Sequence, residues 1–232
     1  MMSHELRNPL NGILGPLALL GQSELPGKQQ RLVGQAQQSG QSMVQLLSGL
    51  LDYGEMQDGR FQLKDEPIRV SALADSLREA LKAEAAQSAT VNVVPGTPER
   101  IQGDPDRLLQ AFVHLTIYVL EGRSPSGASV TFSHDGTNLV GEIGFTVDGA
   151  LMDWKLDLLM GLSEIAPDQV SAEALRPLIA RGLIAATKGV LSLLEKPDGR
   201  RVIQVRVPAE PVKFEQIRVH LETRSAALAA IY

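Results

Sequence analysis

Cysteine is absent from all 232 residues, which excludes disulfides, thiolate nucleophiles and cysteine-held metal, and fits a reducing compartment. Basic residues are outnumbered: 22 lysines and arginines against 27 acidic residues leave a net charge of -5. No cationic footprint exists to neutralise a phosphate backbone, so no nucleic-acid partner is expected. No run reaches the roughly 18 uninterrupted apolar residues of a spanning helix, and the start lacks the basic-then-apolar order of a signal peptide. The four histidines, His4, His114, His134 and His220, show no metal-ligand spacing, so no metal site is expected. What is present, 44% hydrophobic residues over this length, is enough to fold and bury a core.

The apolar residues are ordered in two different ways. Leu6, Leu10, Ile13, Leu17 and Leu20 recur at four-three spacing, and after a break at Gly21, Pro26 and Gly27 the same alternation returns in Leu32, Ala36, Ser39, Met43, Leu46, Leu50 and Tyr53. Two matching stripes imply an antiparallel helical hairpin over residues 1–58. A lone hairpin has too little apolar surface to stand by itself, so two copies are expected to pair into a four-helix bundle. The alternative is packing of the hairpin on its own C-terminal domain. Gly34, Gly40 and Gly49 lie in the second helix, each costing about 1 kcal/mol relative to alanine, which packing has to outweigh.

Past Gly54, Asp58 and Gly59 the pattern becomes mixed. Residues 61–208 read as a strand at "FQLKDEPIRV", a helix capped by Ser71, a strand at "TVNVVPG", and a helix capped by Asp104 with Pro105 in its first position. Strands at "ASVTFSHDG" and "NLVGEIGFTV", helices near 151–163 and 171–188, and a hairpin turning at Pro197, Asp198 and Gly199 follow. The fold class is therefore α+β: a helical hairpin followed by an α/β sandwich with helices on one face of the sheet.

At its start the chain reads "SHELRNPLNGILG", and this stretch closely resembles the phosphoacceptor box of two-component sensor histidine kinases. The order of elements over 61–208 is similar to their ATP-binding domain. A phosphoryl acceptor has to be neutral near pH 7 and accessible, and imidazole meets the first condition intrinsically. A lone helical histidine is ordinarily just an exposed residue; Ser3, His4, Glu5, Leu6, Arg7, Pro9 and Leu10 all match the family and set His4 apart. The resemblance makes His4 the phosphoacceptor, Glu5 the residue that orients it or takes its proton, and Asn8, one helical turn on, the side chain that positions water for removing phosphate from a partner receiver domain. Pro9 removes the bond to the Glu5 carbonyl and should kink the helix just after His4.

The nucleotide boxes match poorly. "DPDRLLQ" fits the start of the family's asparagine-box helix, yet its two asparagines fall on His114 and Tyr118, and a phenol is a poor ligand for magnesium. The adenine-reading aspartate falls on Val147, with Gly149 retained and a second glycine replaced by Leu151; a one-residue shift would offer Asp148 but breaks the register with Gly149. The phosphate loop falls on Ala174, Leu175, Arg176 and Pro177, where side chains occupy the space of glycines and Pro177 lacks an amide donor. Arg176, Arg181 and Lys188 remain as cations for some anion.

The resemblance thus implies a phosphorelay protein whose His4 exchanges phosphate with an aspartate on a response-regulator receiver domain, with no cofactor bound. A second reading keeps Mg-ATP and autophosphorylation in an atypical pocket. A third is a non-enzymatic pseudokinase that heterodimerises with a true kinase. Residues 209–232 read as a C-terminal extension, either a terminal helix or the start of a receiver-like domain. A cytoplasmic location is expected. The position of His4, one turn from the first residue, implies a longer protein that is membrane-linked or hybrid, with a sensor upstream.

Overall fold

A computed structural model describes residues 2–57, 62–83, 88–121, 127–146, 153–161 and 172–212; the side chains of residues 2–9, of several positions between 38 and 57, and of 153–155, 158 and 172–174 lie outside that description. The stripes at the start form α1 (Met2–Gly21) and α2 (Gly27–Gln57). Between them the chain turns on backbone bonds from Gln22 to Leu19 and from Ser23 to Leu20, and α2 starts with Gln29 and Gln30 donating to the Pro26 carbonyl. Of Gly34, Gly40 and Gly49 in α2, two have a packing reason. A side chain at Gly40 would collide with Leu14 of α1, and one at Gly49 would collide with Ile179; around Gly34 there is open space.

From residue 66 the order is β1 (Glu66–Arg69), α3 (Val70–Ala83), β2 (Ala89–Val93), β3 (Arg100–Gly103), α4 (Pro105–Glu121), β4 (Ala128–His134), β5 (Asn138–Phe145), α5 (Asp153–Met160), α6 (Ala172–Ala186), β6 (Val190–Glu195) and β7 (Arg201–Pro208). Five strands make one sheet in the order β2-β4-β5-β7-β6, parallel only between β2 and β4; β1 and β3 form a separate antiparallel pair. Alternation along β4, β5 and β7 sends Val130, Phe132, Leu139, Ile143, Phe145, Ile203 and Val205 into the core. Helix α3 buries Val70, Leu73, Ala74, Leu77 and Leu81 on one side. Helix α4 is enclosed on nearly every side, from Ala111 to Val119.

The central contact is between α4 and the sheet. The Phe112 ring meets Phe132 edge-on, with centroids 4.8 Å apart, and lies over Gly141, the residue paired with Phe132 across β4 and β5. A side chain at position 141 would occupy the space of that ring.

At the N-terminus of α4 the Asp104 carboxylate has two partners. One oxygen accepts the Arg107 amide at 3.0 Å, the expected helix cap, and the other accepts the Lys64 amide at 2.8 Å. The Lys64 ammonium pairs with Asp106. The segment entering the sandwich is thus tied to the start of α4, forty residues away.

Three sequence expectations need correction. Ser71 lies inside the first turn of α3, which begins at Val70, because the Val70 amide already donates to Glu99 at the end of the neighbouring loop. The strand expected from residue 61 is confined to Glu66–Arg69, and its partner β3 was not expected at all; the four residues of β3 sit just before the Asp104 cap and carry no alternation long enough to read. Nor does the sandwich end at 208. Ala209 donates to Thr137, Gln102 to Glu210 and Val212 to Arg100, so residues through Val212 add a third line to the β1–β3 pair. His134 secures this segment: its Nε2 donates to the Ala209 carbonyl at 2.8 Å, while Nδ1 accepts the Gly136 amide at 3.0 Å.

Replacing Asp104 by alanine removes a helix cap and the Lys64 bond together and is expected to lower stability by about 2 kcal/mol or more, with Asp104→Asn recovering part of it. Denaturant unfolding measures both. Gly141→Val, forced against a ring that cannot retreat, is expected to cost about 3 kcal/mol in the same assay.

Candidate functional site

His4, Glu5 and Asn8 occupy the first two turns of α1, which is helical from Met2 onward through Pro9. Their side chains lie outside the described residues, so their placement rests on the backbone. Leu14 of α1 packs on Gly40 of α2. In an antiparallel hairpin, ten residues back along α1, from Leu14 to His4, correspond to ten residues forward along α2, from Gly40 to Leu50, about 15 Å in each case. The Gly49 notch that receives Ile179 is adjacent to that level. The docking of α6 on α2 therefore brings the sandwich against the hairpin at the end that carries His4.

The three described nucleotide-box positions converge on the contact between α4 and α6. His114 is buried, and among the described residues its Nδ1 has no hydrogen-bond partner. Burial, and secondarily the charge of Arg176, lowers its pKa from 6.5 to about 4, so the imidazole is neutral at physiological pH. Tyr118, one turn further on, is 2% exposed and belongs to the apolar core. Arg176 is 8% exposed and holds Glu121, the last residue of α4, at 3.4 Å. Pro177 follows it inside α6. The stretch aligned with the phosphate loop is thus helical from Ala172, with its guanidinium engaged by a carboxylate. Val147, Gly149 and Leu151 fall outside the described residues.

A cleft of about 990 Å³ lies elsewhere, between the incoming segment at Leu63 and Lys64, Leu108 at the start of α4, Lys188 at the end of α6 and Pro211. None of His114, Tyr118 and Arg176 lines it.

Two contacts that matter were not visible in the sequence. The Gly49–Ile179 socket joins residues 130 apart, and α2 offers no signal beyond an unexplained glycine. Asp104 was legible as a cap, but its bond to Lys64 was not, because a backbone amide leaves no mark in the side-chain pattern.

Comparison with known proteins gives the same picture from outside. Residues 1–59 match the model of the His Kinase A (phospho-acceptor) domain. Histidine kinase 3 of Arabidopsis thaliana is 28% identical over 189 residues, covering 78% of this chain and 17% of that protein. The sensor protein GacS of Pseudomonas syringae pv. syringae is 36% identical over 120 residues, covering 49% of this chain and 13% of its own length. The chain therefore spans less than a fifth of these relatives. Among solved structures, full-length ShkA, determined in complex with AMPPNP, superposes with a TM-score of 0.65 at 22% identity, over 91% of this chain and 45% of that one. The Acinetobacter baumannii histidine kinase AdeS superposes with a TM-score of 0.56 at 14% identity, over 88% and 97% respectively. The first 59 residues thus match a phosphoacceptor domain, the α/β sandwich behind them has the fold seen in solved histidine kinases, and the chain as a whole is similar to a catalytic core of the two-component histidine kinases.

Proposed function

We propose that this chain is a phosphorelay module in which His4 exchanges a phosphoryl group with an aspartate on a receiver domain, and that its ATPase-like domain serves as scaffold. The observation that carries this reading is the asymmetry between the two halves: the phosphoacceptor domain matches its family from residue 1 to 59, whereas the described nucleotide-box positions are built as packing. A buried Tyr118 in an apolar cluster, a neutral buried His114 and an Arg176 held by Glu121 do not fit a magnesium-nucleotide site, which takes carboxylate, amide or water oxygens and free phosphate-facing amides. In the transfer, an imidazole nitrogen of His4 attacks the phosphorus of the aspartyl phosphate, the acyl-phosphate P–O bond breaks, and the receiver aspartate leaves as a carboxylate. Glu5 orients the ring or takes its proton, and Asn8 positions water for the hydrolytic direction.

The same reading pairs two copies through the hairpin. Ile13, Leu20, Leu32 and Met43, all members of the two stripes, are exposed in the single chain. A second hairpin would cover them, as the four-helix bundle requires.

Incubation with a receiver labelled as the aspartyl phosphate tests the transfer: label is expected on the wild-type chain and to be lost in His4→Ala, and titration calorimetry with Mg-ATP is expected to give no heat of binding. Tight Mg-ATP binding with autophosphorylation at His4 would replace this reading with the autokinase one. Transfer unaffected by His4→Ala would remove the phosphoacceptor role.

Assignment of His114 to packing has its own consequence in pH. A histidine whose folded pKa, about 4, lies below its unfolded value of 6.5 binds fewer protons folded than unfolded between those values. Its contribution is complete above pH 6.5 and is lost as pH falls towards 4, by roughly 1.4 kcal/mol per unit, or about 3 kcal/mol in all. Urea unfolding from pH 7 to 4 is expected to show a steeper decline for the wild type than for His114→Gln, and parallel curves would place His114 in water.

A further inference from the structure

The outer edge of β6 is the part of the sandwich that these roles leave unused. Its first five residues, Val190-Leu191-Ser192-Leu193-Leu194, carry four aliphatic side chains and no charge before Glu195 closes the strand, and among the described residues no strand pairs with it on the side away from β7. Edge strands of natural sheets are usually blunted by lysine, proline or a bulge, because free amides and carbonyls invite another strand. Here Val190 is 59% and Leu194 36% exposed, on the sheet face opposite the helices, while Leu191 and Leu193 pack against the core.

The free groups can be identified. The hairpin between β6 and β7 is closed by the Lys196 amide donating to the Arg200 carbonyl at 2.8 Å, in register with the pairs Leu194–Val202, Ser192–Gln204 and Val190–Arg206. Since antiparallel ladders alternate, Val190, Ser192 and Leu194 bond to β7, and the amides and carbonyls of Leu191 and Leu193 face outward.

We infer that β6 is a self-pairing edge, joining the same strand of a second copy antiparallel about a two-fold axis at Ser192. This register keeps the helices of both copies on one face, because residues of the same parity pair. Leu191 then exchanges both backbone bonds with the second copy's Leu193, and Val190 faces the second copy's Leu194, covering the two exposed aliphatics with each other. Glu195 falls opposite the second copy's Gly189, beside its Lys188. Glu195 lies opposite Arg201 within its own chain, and the seam brings it a second cation, the other copy's Lys188, so each end gains an opposite-charge contact. A six-residue seam is smaller than a standard stable interface of about 1,600 Å², and the association is weak and concentration-dependent. It is independent of the hairpin pairing and adds to it.

The absence of native cysteine supplies the test. Ser192→Cys puts one thiol on the axis, where the two Cα atoms of a non-hydrogen-bonded pair lie about 4.5 Å apart, within disulfide range. Leu194→Cys places the two thiols four residues of offset from each other along the seam, with Cα atoms about 14 Å apart, since each faces the other copy's Val190. Under mild oxidation of the full chain, Ser192→Cys is expected to form covalent dimer at least tenfold faster than Leu194→Cys, and adding Val190→Lys is expected to remove that advantage. Equal rates, or faster linkage through Leu194→Cys, would overturn the register. Sedimentation supplies the second arm: Glu195→Lys is expected to weaken concentration-dependent association above the mass set by the hairpin, and Glu195→Lys with Lys188→Glu to restore it. A mass unchanged with concentration and across these variants would overturn the pairing, whatever the hairpin does.

Discussion

Helix α4 is apolar on almost every side, and a helix of that kind has to be covered all round. That requirement orders the rest of the sandwich. The sheet covers one side through the Phe112–Phe132 contact, which works only because residue 141 is glycine. Helices α3 and α6 lie along the others. In a nucleotide-binding relative of this fold, part of the same helix would have to face a polar ligand. Here Tyr118 and His114 are drawn into the covering instead, and α6 approaches closely enough for Arg176 to hold Glu121 at the end of α4. Burial of these positions and closure of the core are thus one event in physical terms: an aromatic ring and a neutral imidazole there cost less to bury than charged groups would.

The covering then propagates to the hairpin. Once α6 is fixed by α4, its opposite side presents Ile179, and α2 accepts that side chain because Gly49 leaves room for it. The incoming segment is fixed as well, by the Lys64 amide on Asp104 and the ammonium on Asp106. The docking of α6 on α2 therefore holds sandwich and hairpin together near the level of His4, while the Lys64 contacts fix where the chain enters the sandwich. An active autokinase has to carry its nucleotide to the histidine and withdraw; a relay module has no such need, and fixed attachment is consistent with the scaffold role.

Much of this was legible from residues alone. The four-three stripes gave α1 and α2, Asp104 and Pro105 gave the start of α4, and Pro197, Asp198 and Gly199 gave the last turn, because each rests on local physical chemistry within a few residues. The phosphoacceptor domain was legible around His4, where a run of matching positions surrounds one chemical group and residues 1–59 match that domain. What stayed hidden were relations between distant positions. Neither the β3 strand nor the tail from Ala209 to Val212 has a periodic pattern; each is fixed by backbone bonds to the other. Ser71 looked like a cap because serine favours that position, but the Glu99 carbonyl had already satisfied the Val70 amide and allowed the helix to start a residue earlier.

The apolar surface that remains after folding is informative because so much has been covered. Exposed aliphatics are concentrated in the hairpin stripes and on β6, two elements at opposite ends of the chain's order. Each is regular, and on each the exposed aliphatics recur on one face: Ile13 and Leu20 lie two helical turns apart on α1, and Val190 and Leu194 lie four residues apart on β6. Random exposure would not keep those periods. A regular element with an uncovered periodic face is complementary first of all to another of its own kind, helix to helix and strand to strand, and covering both faces in that way would call for two different symmetry axes. Under the two pairings proposed, the hairpin axis would set which two copies of His4 lie together, while the strand axis would link one such pair to the next without passing through His4.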